Sequence, residues 1–164
     1  VTVASDNPVL VPVDATHIQT GGSGAAHTLT VLPAQNQSGT ADITVTVSDG
    51  ALTELTTFTL TVNPVDDPPT ISAIEDQAID EDGVAGAIAF TLSDVDNDVT
   101  DLTVTAATAN TAMIPRANIV LAPIGTDGSC ALRVTPVANL NGTAAMTVTV
   151  RDPDGNALEL VATG

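Results

Sequence analysis

Lysine is missing from this chain, and three arginines are its only strong bases against 20 aspartates and glutamates, giving a formal net charge of −17. A phosphate backbone binds by releasing counterions to Lys and Arg, so no nucleic-acid partner is expected. An anionic membrane surface would repel the chain as well. Apolar residues make up 43% of the sequence. They come in short runs, far from the roughly 20 residues of a membrane-spanning helix, so no membrane insertion is expected. Tryptophan and tyrosine are also absent, leaving two phenylalanines as the whole aromatic complement. That removes the side chains that dominate binding hot spots and that stack on sugar rings. The single cysteine, Cys130, cannot close an intrachain disulfide, so a marginal domain needs another staple. The sequence opens at Val1 without a methionine, which reads as a mature or excised segment. Its 164 residues allow one large or two small domains.

What is present is a repeat. A shift of 103 residues lays Val1 on Val104, Asn7 on Asn110, Pro12 on Pro115, Leu29 on Leu132 and Val31 on Val134. It carries Asn36, Gly39, Thr40 and Ala41 onto Asn139, Gly142, Thr143 and Ala144, and Thr44-Val45-Thr46-Val47 onto Thr147-Val148-Thr149-Val150. No gap is needed across 49 positions, and 18 of them are identical. Tandem repeats of about 103 residues follow. Asn63-Pro64-Val65-Asp66-Asp67-Pro68-Pro69 packs three prolines into seven residues and reads as a stiff, extended linker. The expected organisation is residues 1–63 as the later part of a first repeat lacking its first two strands, 64–69 as linker, and 70–164 as a second repeat whose last strand is cut short.

Apolar residues alternate with Thr in 44–47, 58–62, 89–92, 102–105 and 147–150, the period of half-buried strands. Asp49-Gly50, Asp82-Gly83, Asp127-Gly128, Asn141-Gly142 and Asp154-Gly155 supply turns between such runs. In the second repeat this predicts strands at 70–79 (split in two), 87–93, 102–107, 118–122, 130–135, 144–151 and from 157 onward. No window has a helical period. The fold expected is all-β, a Greek-key β-sandwich of the immunoglobulin class repeated end to end.

Antiparallel alternation brings the linker, the loop after the second strand and the loop after the sixth to one end of the second repeat. Seven carboxylates meet there: Asp66, Asp67, Asp94, Asp96, Asp98, Asp152 and Asp154. Like charges so gathered repel, and a hard cation removes that cost. Ca²⁺, which takes 6 to 8 oxygen ligands, fits this donor set, as does Mg²⁺, which prefers to keep its waters; zinc and copper would want His or Cys. Loop acids serving solubility alone would not need to collect at a domain end. An EF-hand is excluded, because the sixth position counted from Asp94 is Val99 and the twelfth is Thr105. Glu81 and Asp82, at the opposite end, are candidates for a site with the next repeat, and Asp49 for a site with a preceding linker.

Pro64-Val65-Asp66-Asp67-Pro68-Pro69-Thr70, Asp80-Glu81-Asp82-Gly83, Leu92-Ser93-Asp94-Val95-Asp96-Asn97-Asp98 and Val47-Ser48-Asp49-Gly50 resemble the cadherin-like, immunoglobulin-like tandem repeats of large bacterial surface and secreted proteins, RTX-type adhesins among them. The resemblance implies Ca²⁺ held between successive domains by Asp66, Asp67, Asp94 and Asp96, and an extracellular or cell-surface location. Enzyme readings fail. His17 and His27 align with Val120 and Cys130, so no His repeats. Gly21-Gly22-Ser23-Gly24-Ala25 lacks the final Gly of a nucleophile elbow and reads as a flexible loop between strands. Cys130 has no basic neighbour and reads as a buried apolar thiol. Two classes remain. One is a Ca²⁺-rigidified structural segment of an adhesin stalk or surface filament, partnered by neighbouring repeats of its own chain or by copies in a filament. The other is a ligand-binding cell-adhesion module, which the shortage of aromatics and Arg disfavours.

Overall fold

A computed structural model describes residues 1–162. The chain divides into two units, Val1–Val65 and Asp66–Gly164. Both are built from antiparallel strands, and short 3₁₀ turns at Val99–Asp101 and Arg116–Asn118 are the helical segments assigned.

The second unit holds β6 (Thr70–Ile71), β7 (Ala85–Ser93), β8 (Thr103–Thr108), β9 (Ile119–Leu121), β10 (Ser129–Val134), β11 (Met146–Arg151) and β12 (Ala157–Ala162). They form one sheet in the order β6-β7-β10-β9 and a second in the order β12-β11-β8. That is the strand arrangement of a seven-stranded, constant-type immunoglobulin sandwich. The alternation in Thr147-Val148-Thr149-Val150 is realised as buried valines and half-buried threonines, with Val148 1% and Val150 0% exposed. Phe90, Leu92, Leu132 and Val134 meet them from the facing sheet. Each such side chain contributes about 1.5–3 kcal/mol by leaving water. The β7–β10 register slips between Leu132 and Val134. Gly86 lies beside that irregularity, where a Cβ would press on Arg133 at 3.0–3.1 Å and φ is +147°.

The strand expected over 70–79 is much shorter than predicted, and 72–79 form no strand. The Ser72 N–H still donates to the Thr91 carbonyl, but the Ser72 hydroxyl accepts the Thr91 N–H, so a side chain replaces the next ladder bond. Glu75, Asp76 and Gln77 then follow with no cross-strand partner.

The first unit holds β1 (Thr2–Ser5), β2 (Ile18–Ser23), β3 (Ala26–Val31), β4 (Gly39–Ser48) and β5 (Thr53–Val62). The sheet β1-β4-β5 repeats the order β8-β11-β12, and the hairpin β2-β3 corresponds to β9-β10. Its core is Leu10, Val11, Ala41 and Ile43, backed by Leu29, Val31 and Leu60. Gly21, Gly22 and Ser23, read from sequence as a flexible loop, belong instead to β2, paired in register with Thr28, His27 and Ala26. Gly22 has a φ of +94°, and a Cβ there would run into the Ala26 carbonyl; glycine serves a tight hairpin. Val45 and Val47 match Val148 and Val150 in sequence but not in burial, for Val47 is 50% exposed.

Candidate metal centre

All seven carboxylates of the predicted cluster belong to the second unit, and three of its segments carry them. Pro69, fully buried, anchors the lead-in to β6 and so fixes Asp66 and Asp67 just before it. The Asp67 N–H donates to Asp96 Oδ2 at 2.7 Å, which ties the lead-in to the β7–β8 loop. The Asn156 side-chain amide donates to Asp66 Oδ2, which ties it to the β11–β12 loop. Lead-in and both loops therefore meet at one end of the sandwich, as antiparallel alternation requires.

Each loop is folded around an aspartate that uses one oxygen locally. Asp94 Oδ1 accepts the N–H groups of Asp96 and Asn97, both at 2.9 Å. Asp152 Oδ1 accepts those of Gly155 and Asn156 at 2.6 and 2.8 Å. Asp49 Oδ1 does the same in the β4–β5 turn with Ala51 and Leu52, at 2.9 and 2.7 Å. The second oxygens differ in their fate. Asp94 Oδ2 and Asp152 Oδ2 are buried with no hydrogen-bond partner, and Asp152 is 4% exposed as a residue. A buried, unpaired carboxylate oxygen is costly, and its ordinary remedies are a proton or a cation.

Electrostatics mark the same place. The Asp66 carboxyl is held above its ordinary range chiefly by desolvation, then by the negative charges of Asp152, Asp154 and Asp96, with the Asn156 hydrogen bond opposing. The donor set is all oxygen, as Ca²⁺ wants. Among the described residues, however, no three His, Cys, Asp or Glu side chains stand close enough to hold a metal ion as they lie. Chelation would need the carboxylates to draw in. The orphan oxygens of Asp94 and Asp152 fit that role, with Asp66, Asp96 and Asp154 beside them.

Other candidates make contacts of their own. Asp98 caps the Val99–Asp101 turn, accepting from the Thr100 N–H at 2.9 Å and hydroxyl at 2.7 Å, and these bonds lower its pKa. Asp82, in a left-handed conformation with φ 65°, accepts the Asn139 N–H at 2.8 Å. Glu81 lines a cavity described below. Sequence reasoning missed Asn156, whose signal was its place at the end of Asp152-Pro153-Asp154-Gly155, directly after two candidate ligands. Burial raises the Cys130 thiol pKa, and its Sγ donates to the Ala122 carbonyl at 3.4 Å. His17 Nδ1 stands 2.9 Å from Asp14 Oδ1 in the turn that leads into β2.

The sandwich topology of the second unit defines an immunoglobulin-type domain. The model of the family described as bacterial Ig domain matches residues 66–163, and the chain belongs to that family. It is thereby a structural domain of bacterial type. No curated protein matches the chain. Among solved structures, the crystal structure of the S-layer protein SbsC domains 4 and 5 is similar at 18% identity, with 99% of this chain and 68% of that one covered. The TM-score is 0.38, a superposition too loose to carry a structural argument.

Proposed function

We propose that the chain is a structural repeat segment of an extracellular adhesin stalk or surface filament of the cadherin-like kind, stiffened by Ca²⁺ at the acidic end of its second unit. The reading rests on one observation: Asp152 is almost wholly buried, yet one of its carboxylate oxygens has no partner and three further aspartates act on the same site. Membership of the bacterial Ig family supports the structural role and the surface location. A bound ion would offset half of the charge of Asp66, Asp96, Asp152 and Asp154, and would fasten the lead-in to both loops. Asp67 is engaged through its backbone N–H, and Asp98 acts as a cap beside the site.

Calorimetric titration tests this. Ca²⁺ should bind saturably, with a dissociation constant of roughly 10⁻⁴–10⁻³ M as in extracellular modules. At 100 times that constant one ion adds about 2.7 kcal/mol of stability. Asp152→Asn should abolish uptake. Absence of heat, together with a melting temperature indifferent to chelator, would overturn the proposal.

A further inference from the structure

At the end of the second unit opposite the acidic loops, a cavity of about 380 Å³ opens between the two sheets. Its volume lies in the range of small-molecule sites. The floor is core: Leu132 and Val148 line it and are 2% and 1% exposed. Met113 and Met146 also line it, and they are the only two methionines in the sequence. The repeat supplies a comparison, since the equivalent positions of the first unit are Leu10 and Ile43, closed in the core at 1% and 0% exposure. In the second unit both positions carry the unbranched, polarizable residue and both are partly open. Methionine is the side chain that reshapes around varied apolar guests. The strandless segment 74–81 lines one side and carries Glu75, Asp80 and Glu81, all exposed, with the exposed residues 140–143 also in the lining; no Lys, Arg or His lines the cavity among the described residues.

We propose that this cavity binds a small cationic amphiphile, with an alkyl chain on the methionine-lined floor and an ammonium head among Glu75, Asp80 and Glu81. Charge complementarity selects the head. A fatty carboxylate of equal length would set its charge against three of the same sign, and a neutral alcohol would gain at most a hydrogen bond from them. Among the described residues no aromatic side chain lines the cavity, so charge rather than a cation–π cage holds the ammonium. The proposal is independent of the metal reading, because it uses the other end of the sandwich.

Methyl-labelled methionine gives two NMR signals from the full chain, and both report on the cavity. With chelator present throughout, octyltrimethylammonium should shift both signals saturably and bind at least tenfold more tightly than octanoate, with octanol between them. Tetramethylammonium, the same charge without the chain, should shift neither. Ala144→Phe, which fills the cavity from its rim, should abolish the response. The combined change Glu75→Gln, Asp80→Asn and Glu81→Gln should bring the cation down to the affinity of octanol, and it gives a readout even where the Phe variant does not fold. Signals that stay still with octyltrimethylammonium, octanoate binding as well as the cation, or equal shifts with tetramethylammonium would each overturn the proposal.

Discussion

Asn7 and Asn110 share three hydrogen bonds in their two units, and Asn110 adds one from its amide to Met113 Sδ at 3.8 Å. Each side-chain amide donates across to a carbonyl at 3.2 Å, that of Thr40 for Asn7 and of Thr143 for Asn110. Each Oδ1 accepts the N–H three residues on, from Leu10 or Met113, again at 3.2 Å. Each carbonyl accepts the N–H four residues on, from Val11 or Ile114, at 2.9 Å. The turn after β1 and after β8 is thus clamped by one asparagine to the segment that leads into β4 or β11. Asn7→Ala and Asn110→Ala should each cost about 1–2 kcal/mol, the loss of two side-chain bonds. The two changes share no partner and lie in different units, so each loss should appear unchanged in the double variant in urea unfolding followed by circular dichroism. Asn-to-Asp changes at the same positions should cost less, because they delete the donor and keep the acceptor.

Val47 and Val150 occupy equivalent positions with exposures of 50% and 0%. Val150→Ala should therefore destabilise the second unit by about 1.5 kcal/mol, two methylene equivalents at about 0.8 kcal/mol each, before any cavity penalty. Val47→Ala should cost less than half of that. Equal losses in denaturant titration would contradict the difference in burial.

Asp66→Asn should change the sign of its effect with the metal. In chelator at neutral pH it removes a desolvated charge that faces Asp152, Asp154 and Asp96, so the melting temperature should rise. With excess Ca²⁺ the same change deletes a ligand, and the melting temperature should fall below that of the unaltered protein. A rise in both conditions would assign Asp66 no part in binding.

Acid stability follows from pKa directions. Asp14 and Asp49 in the first unit, and Asp98 and Asp127 in the second, are held below 3.8 mainly by hydrogen bonds to their carboxylates, from His17, Leu52, Thr100 and Ser129 in that order. Each therefore contributes stability that is complete above pH 3.8 and is lost as the pH falls through its folded value. Asp66 has the opposite sign: its folded pKa is raised, so its charged form opposes folding at neutral pH, and protonation relieves the fold. Metal-free protein should lose stability below about pH 4 in both units, and Asp66→Asn should steepen that loss in the second. Melting temperatures recorded in chelator from pH 2.5 to 6 provide the check.

The strands were legible because Thr and Val alternate where one face is buried, and because the repeat supplies each alignment twice. Strand β3 at Ala26–Val31 maps onto β10 at Ser129–Val134 with the same 103-residue shift that aligns the sequences. Turn residues also mapped directly, down to Asn36 and Asn139, which share a left-handed conformation at φ 57° and 59°. What stayed hidden depended on partners that sequence does not name. Residues 72–79, Ser-Ala-Ile-Glu-Asp-Gln-Ala-Ile, do not alternate, and the strand expected through them stops where Ser72 takes the Thr91 N–H into its side chain. Gly21-Gly22-Ser23 looked flexible because glycine carries no preference of its own, and only the approach of the Ala26 backbone gives it one. At the candidate centre, the convergence of three acidic segments was legible from strand alternation. Which second oxygen ends up buried without a partner was not, and that sets Asp94 and Asp152 apart from the exposed Asp98.

The methionine pair beside the cavity makes the two halves of this chain unequal before an oxidant. Sulfoxide formation at Met113 or Met146 turns an apolar thioether into a polar group against the core of the second unit. Leu10 and Ile43, at the same places in the first unit, offer peroxide nothing to attack. Mild peroxide treatment should therefore loosen the second unit while leaving the first intact, and a methionine sulfoxide reductase should restore it.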